Sequence, residues 1–179
     1  GRLLALAGLA LLGICVLAGL AIGSNQTNQR ALATLYERDI DTLVRLQRIE
    51  SSLLEVRFRA AGVLLEQMPI PGSLNHLRET RTQIAAYWQA LAPKAEASFT
   101  EGEPRERFDQ LKQGWDAVDG TLAKLESAYA AKDKNAVTSV LEEDWAVLHR
   151  RAVKPLQGLI PDTRAIAEAA YVSAAGTSR

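Results

Sequence analysis

Arg57 interrupts the apolar helical run LLEVRFRAAGVLLEQM at 53–68. Counted from Leu43 in alternating steps of three and four, the run presents Leu43, Leu46, Glu50, Leu53, Arg57, Ala60 and Leu64 on one stripe. Arg57 is therefore expected to face a partner helix. Arg81 falls on a second stripe of the same kind, with Leu74, Leu77, Ile84, Trp88 and Leu91. A buried guanidinium without a counter-charge is strongly destabilising, so each needs a carboxylate, water or a ligand. Two guanidinia at one height suit a bidentate clamp on an anion, a geometry ammonium does not offer.

Arg57, Arg81 and Asp144 each lie about ten residues from a distal turn, which at ~1.5 Å per residue places them within about one helical turn of a common level. The expected ligand-binding set is Arg57 and Arg81, with Arg78 and Arg59 adding positive field from the flanks. Glu143 or Asp144 would pair with the arginines in the empty site or accept from a ligand hydroxyl or amine. Trp145 adjoins it as the one aromatic candidate. Read without a ligand, the same arginines form an internal ion network with Glu142, Glu143 and Asp144.

Other chemistry finds little footing. Two histidines, His76 and His149, stand far apart, and Cys15 is the single cysteine, so neither a metal site nor an intrachain disulfide is expected. No nucleophile and base occur at recognisable spacing and no glycine-rich phosphate loop is present, so neither catalysis nor a cofactor is expected. The 179 residues carry 21 basic and 21 acidic side chains without a basic face, which argues against nucleic acid as a partner. Arg150 and Arg151 read as a solvated face rather than a phosphate site.

The elements that must hold these residues are helical throughout. With 47% hydrophobic and 6% aromatic residues, rich in alanine and leucine, the composition suits one all-α domain. From residue 24 to Met68 the chain has no proline, giving a first helix of about 45 residues and roughly 65 Å. MPIPG at 68–72 ends it, Ser73 is the expected N-cap of a second helix over 73–97, and Pro93 is placed to kink or end that helix. SFTEGEP at 98–104 makes the next break, with Pro104 in the first turn of a third helix over 104–131. Phe108, Leu111, Trp115, Val118, Leu122, Leu125 and Tyr129 form its stripe. A fourth helix runs from about Asn135 to 179, with Leu148, Ala152 and Leu159 facing inward beside Trp145 or Asp144, and Pro155 and Pro161 bending or breaking it. Long, short, short, long, joined by short loops, is the pattern of an antiparallel up-down-up-down four-helix bundle.

Between Leu3 and Gln29 the only ionisable side chain is Cys15, and LLALAGLALLGICVLAGLAIG is long enough to cross a bilayer. Residues 1–23 are expected to form a transmembrane helix, with Arg2 on the cytoplasmic side and residues 24–179 across the membrane. Both ends of the bundle then lie at the membrane, with a second span expected after Arg179.

This layout resembles the periplasmic four-helix-bundle sensor domain of bacterial methyl-accepting chemotaxis receptors. The likeness is carried by GRLLALAGLALLGICVLAGL at the start, LYERDIDTLVRLQRIESSLLEVRFRA in the first long helix and KPLQGLIPDTRAIAEAA in the fourth. It implies an inner-membrane homodimer whose periplasmic bundle binds a small molecule and passes a small displacement of the fourth helix inward, to cytoplasmic signalling partners. The enteric amino-acid receptors of that family grip the ligand carboxylate with helix-one arginines spaced five and then four residues apart. Starting from Arg57 that spacing lands on Gly62 and Glu66; ending on Arg57 it lands on Arg48 and Leu53. Only Arg57 carries over as a carboxylate contact, and the ligand expected is a small anionic metabolite such as an organic acid. Similar bundles serve sensor histidine kinases and diguanylate cyclases, so the output domain stays open. A purely structural bundle, or one reading a protein partner at the MPIPG tip, are the alternatives.

Overall fold

The structure, a computed structural model, describes residues 34–176. The transmembrane helix expected over 1–23 lies outside the described residues, and among the described residues no helix is long and apolar enough to cross a membrane. The chain divides into two compact units, Gly1–Glu37 with Ala167–Arg179 and Arg38–Ile166. In the first, the rings of Tyr36 and Tyr171 pack 5.8 Å apart in a tilted arrangement.

The second unit is a four-helix bundle, and the described residues contain no strand. Helix α1 covers 34–64 of the described chain, α2 is Ile70–Ser98, α3 is Gly102–Ala130 and α4 covers 134–176. The core is apolar along its length: Leu46, Ile49 and Leu53 of α1, Leu77 and Leu91 of α2, Phe108 and Leu125 of α3, and Leu148 and Leu159 of α4 are each at most 2% exposed. At about 1.5–3 kcal/mol for each large aliphatic or phenyl side chain removed from water, this core is the main source of stability. Between α2 and α3, Trp88 and Trp115 stack with ring centroids 4.1 Å apart.

The helix ends follow local chemistry. At the end of α1, Glu66 takes the left-handed conformation (φ 60), and the Gly62 carbonyl accepts from the N–H groups of Gln67 and Met68. Helix α2 starts earlier than the Ser73 cap anticipates, because Pro71 is accommodated in its first turn, where a missing donor is no loss. Ser73 is instead buried, its hydroxyl without a hydrogen-bond partner among the described residues. Asp133 caps α4 by accepting from the Ala136 N–H at 3.0 Å. Pro93 sits inside α2 without ending it.

Helix α4 does not break at its prolines. It widens instead into two π-helical turns, Val140–Asp144 and His149–Val153, in which Trp145 N–H donates to the Val140 carbonyl and Lys154 N–H to the His149 carbonyl. Pro155 explains the second of these, since it has no N–H to give the Arg151 carbonyl four residues back. Gly114 of α3 occupies the space beside that carbonyl. A Cβ on residue 114 would lie 2.0 Å from the Arg151 oxygen, so only glycine lets the two backbones meet there.

Candidate functional site

Arg57 does not face the core. The buried positions of α1 are Asp39, Thr42, Leu46, Ile49, Leu53, Val56, Ala60 and Val63, an unbroken three-four alternation, with Gly62 buried beside it. It shares Leu46, Leu53 and Ala60 with the stripe counted from Leu43 but takes Ile49 and Val56 where that stripe takes Glu50 and Arg57. Toward residue 39 this register buries Asp39, which accepts from Arg38 Nε at 3.1 Å and from Ser98 Oγ at 2.6 Å; from Leu46 to Val63 it is apolar at every step, and Glu50 and Arg57 move to the flank. That flank is informative. Glu50 accepts from the Gln157 Nε2 of α4 at 2.8 Å, and Arg57 follows Glu50 by two turns on the same side of α1. Arg57 is exposed, on the side of α1 that faces α4, with no hydrogen bond or ion pair among the described residues.

Arg81 is corrected in the same way: Thr80 holds the buried slot of α2 and Arg81 is half-buried beside it. Its counter-charges are on α3, not in the acidic patch of α4. Arg81 Nη1 donates to Glu126 at 2.5 Å and Nη2 to Asp119 at 3.0 Å, while Arg78 Nε donates to the other oxygen of Glu126 at 2.9 Å. Burial opposes the charge on Arg81, but its hydrogen bonds to Asp119 and Glu126 outweigh that and raise its pKa. Hydrogen bonding from Arg78, then from Arg81, holds the Glu126 carboxyl below the usual glutamate value. Because the folded pKa is depressed, this carboxylate adds stability above the ordinary glutamate range, and the contribution is lost as pH falls through the folded value. Glu126→Gln is expected to lower unfolding stability by about 1 kcal/mol at pH 7, with the difference from wild type shrinking as pH falls through the depressed folded value, in denaturant titrations along an acid pH series.

Asp144 and Trp145 part company. Trp145 takes the inward position and is 4% exposed, a core residue. Asp144 is half-buried, pairs with Lys124 of α3 at 2.5 Å, and lines a cavity of about 620 Å³ between α3 and α4. The cavity is walled by Asp133, Glu143 and Asp144 against the single ammonium of Lys124, a balance that suits a cationic group better than an anion. No hydrogen bond or ion pair joins Arg57, Arg81 and Asp144 to one another among the described residues. The clamp expected of these residues is thus divided among a free guanidinium on α1, an α2–α3 ion network and an α3–α4 cavity.

Residues 1–160 match the family model described as Tar ligand binding domain homologue. The chain belongs to this family. No curated protein and no solved structure matches it. Tar ligand-binding-domain homologues are the sensory domains of chemotaxis receptors, membrane-associated and built as four-helix bundles, with a sensory rather than a catalytic role. The fold found here is that bundle.

Several structural features of this Tar homologue lie outside the expected residues. Lys124, Asp119 and Glu126 lie on the exposed side of α3, outside the apolar stripe that organises the helix. A second apolar row lies on the outer face of α1. Val44, Leu54, Phe58 and Leu65 are all exposed, Phe58 and Leu65 each at 68%. With Gln47, Ser51 and Ala61 between them, they repeat the three-four alternation half a turn away from the core row. That second periodicity was the available signal.

Proposed function

We propose that this chain is the extracytoplasmic sensor domain of a transmembrane chemotaxis-type receptor that binds a small anionic metabolite, an organic acid, at Arg57. In this reading residues 1–23 anchor it in the bacterial inner membrane and 24–179 form the periplasmic domain. The supporting observation is the unpaired guanidinium on the side of α1 that faces α4, beside the outer apolar row. An exposed apolar row of this kind marks an association surface. Two copies paired along Leu54, Phe58 and Leu65 would bury it and place Arg57 at the edge of the interface. Arg78 and Arg81, held by Glu126 and Asp119, then tie α2 to α3 and keep the scaffold rigid.

An anion held by Arg57 would reach α4 and bias its position along the membrane normal. The wide turns at 140–144 and 149–153 suit that role. Each holds one residue more than an α-turn, and moving such a turn along a helix advances the intervening segment by one residue, ~1.5 Å. A shift of that size is enough for a two-state element biased by ligand. Cytoplasmic signalling partners would read it through the continuation of α4.

The test is a thermal-shift screen of the full chain in neutral detergent against organic, amino and aromatic acids, with Arg57→Ala alongside. An acid at about 100 times its Kd adds ~2.7 kcal/mol of stability, a readily measured rise in Tm. The expected result is stabilisation of wild type by an organic acid and none of Arg57→Ala. Equal stabilisation of both removes Arg57 from the site.

A further inference from the structure

The geometry points to a second anion site, in the groove between α3 and α4 beside Gly114 and Gly158, that takes a compact phosphate-type dianion through Arg150 and Lys154. The groove consists of two adjoining cavities of about 240 and 380 Å³ that share Gln110, Arg150 and Pro155. Two glycines make room for it. Gly114 lies against the Arg151 carbonyl, and a Cβ on Gly158 would stand 2.8 Å from Cδ of Arg107, whose aliphatic stem lies over it.

Charge in the groove is divided unequally. Arg107 donates to Asp162 and to Glu103, each at 2.6 Å. Arg151 donates to Asp116 and to the Gln113 carbonyl, each at 2.9 Å. These two arginines are oriented and neutralised. Arg150 and Lys154 are not: both line the groove and neither has an ion-pair partner among the described residues. They are four residues apart on α4, a spacing at which like charges destabilise a helix unless an anion lies between them. An oxyanion there would accept from a guanidinium edge, an ammonium and the Gln110 amide, a set of donors that matches several oxygens on one small centre. The site is independent of Arg57, which is on α1.

The test is isothermal titration of the full chain in neutral detergent with inorganic phosphate, at ionic strength held constant with chloride. Wild type and Arg57→Ala should bind saturably with the same Kd. The double variant Arg150→Gln, Lys154→Gln should bind at least tenfold more weakly while melting no lower than wild type, because it relieves a like-charge pair. Absence of saturable binding, equal binding by the double variant, or loss of binding in Arg57→Ala would each overturn the proposal.

Discussion

Gly114→Ala is expected to lower the melting temperature by about 4–8 °C, a loss of roughly 2 kcal/mol in a chain of this size. Alanine in place of glycine normally strengthens a helix interior by about 0.5–1 kcal/mol. At residue 114 the added methyl would sit 2.0 Å from the Arg151 oxygen and 2.6 Å from its carbonyl carbon. Both are backbone atoms of α4, so the helices must separate rather than a side chain turn away. Overpacking of this kind costs about 1–3 kcal/mol and more where backbone has to move, which outweighs the helix-propensity gain. Gly120 of the same helix is the control, since a Cβ there meets nothing within 4 Å. Gly120→Ala should therefore raise the melting temperature slightly. Circular dichroism melts of the two variants measure the difference, and equal melting temperatures would show that α3 and α4 do not meet at Gly114.

Phe58→Glu is expected to weaken the proposed dimer at least 30-fold. An anchor side chain at the centre of an interface contributes about 2 kcal/mol or more, and each ~1.4 kcal/mol is tenfold in the dissociation constant. Phe58 is 68% exposed within one chain, so a charge placed there disturbs the isolated bundle little. Sedimentation of the full chain in detergent reads the effect directly: wild type dimeric, Phe58→Glu largely monomeric at the same concentration, with unchanged melting of the bundle. A wild-type chain that is monomeric, or a variant that dimerises equally well, rules out the outer row of α1 as the contact.

The four helices are legible in the sequence because breakers and periodicity coincide. Pro69, Pro71 and Gly102 stand at real helix starts, and the stripe from Phe108 to Tyr129 is buried at every position but Trp115, which is half-buried beside the buried Gly114. On α1 two registers share Leu46, Leu53 and Ala60, and the count from Leu43 follows the one with charge at residues 50 and 57. Comparing Ile49 and Val56 with Glu50 and Arg57 would have separated them, since burial rejects an unpaired charge. On α2 the same one-residue ambiguity separates Arg81 from the buried Thr80. The ion pairs of Arg81 were not legible, because Asp119 and Glu126 belong to a charged helix surface whose alignment against α2 depends on three-dimensional packing. Nor was the widening of α4: proline announces a lost hydrogen bond at Arg151, but whether the helix kinks, breaks or swells depends on what packs against it, here Gly114.

The central claim is that Arg57 is the counter-charge for an anionic ligand. Isothermal titration of the full chain with the organic acid that gives the largest thermal shift, on wild type, Arg57→Lys and Arg57→Ala, tests it most directly. Wild type should bind, Arg57→Lys more weakly because ammonium lacks the bidentate edge, and Arg57→Ala at least tenfold more weakly than wild type, with all three melting alike in the absence of acid. Binding of the same acid by Arg57→Ala with wild-type affinity would contradict the account.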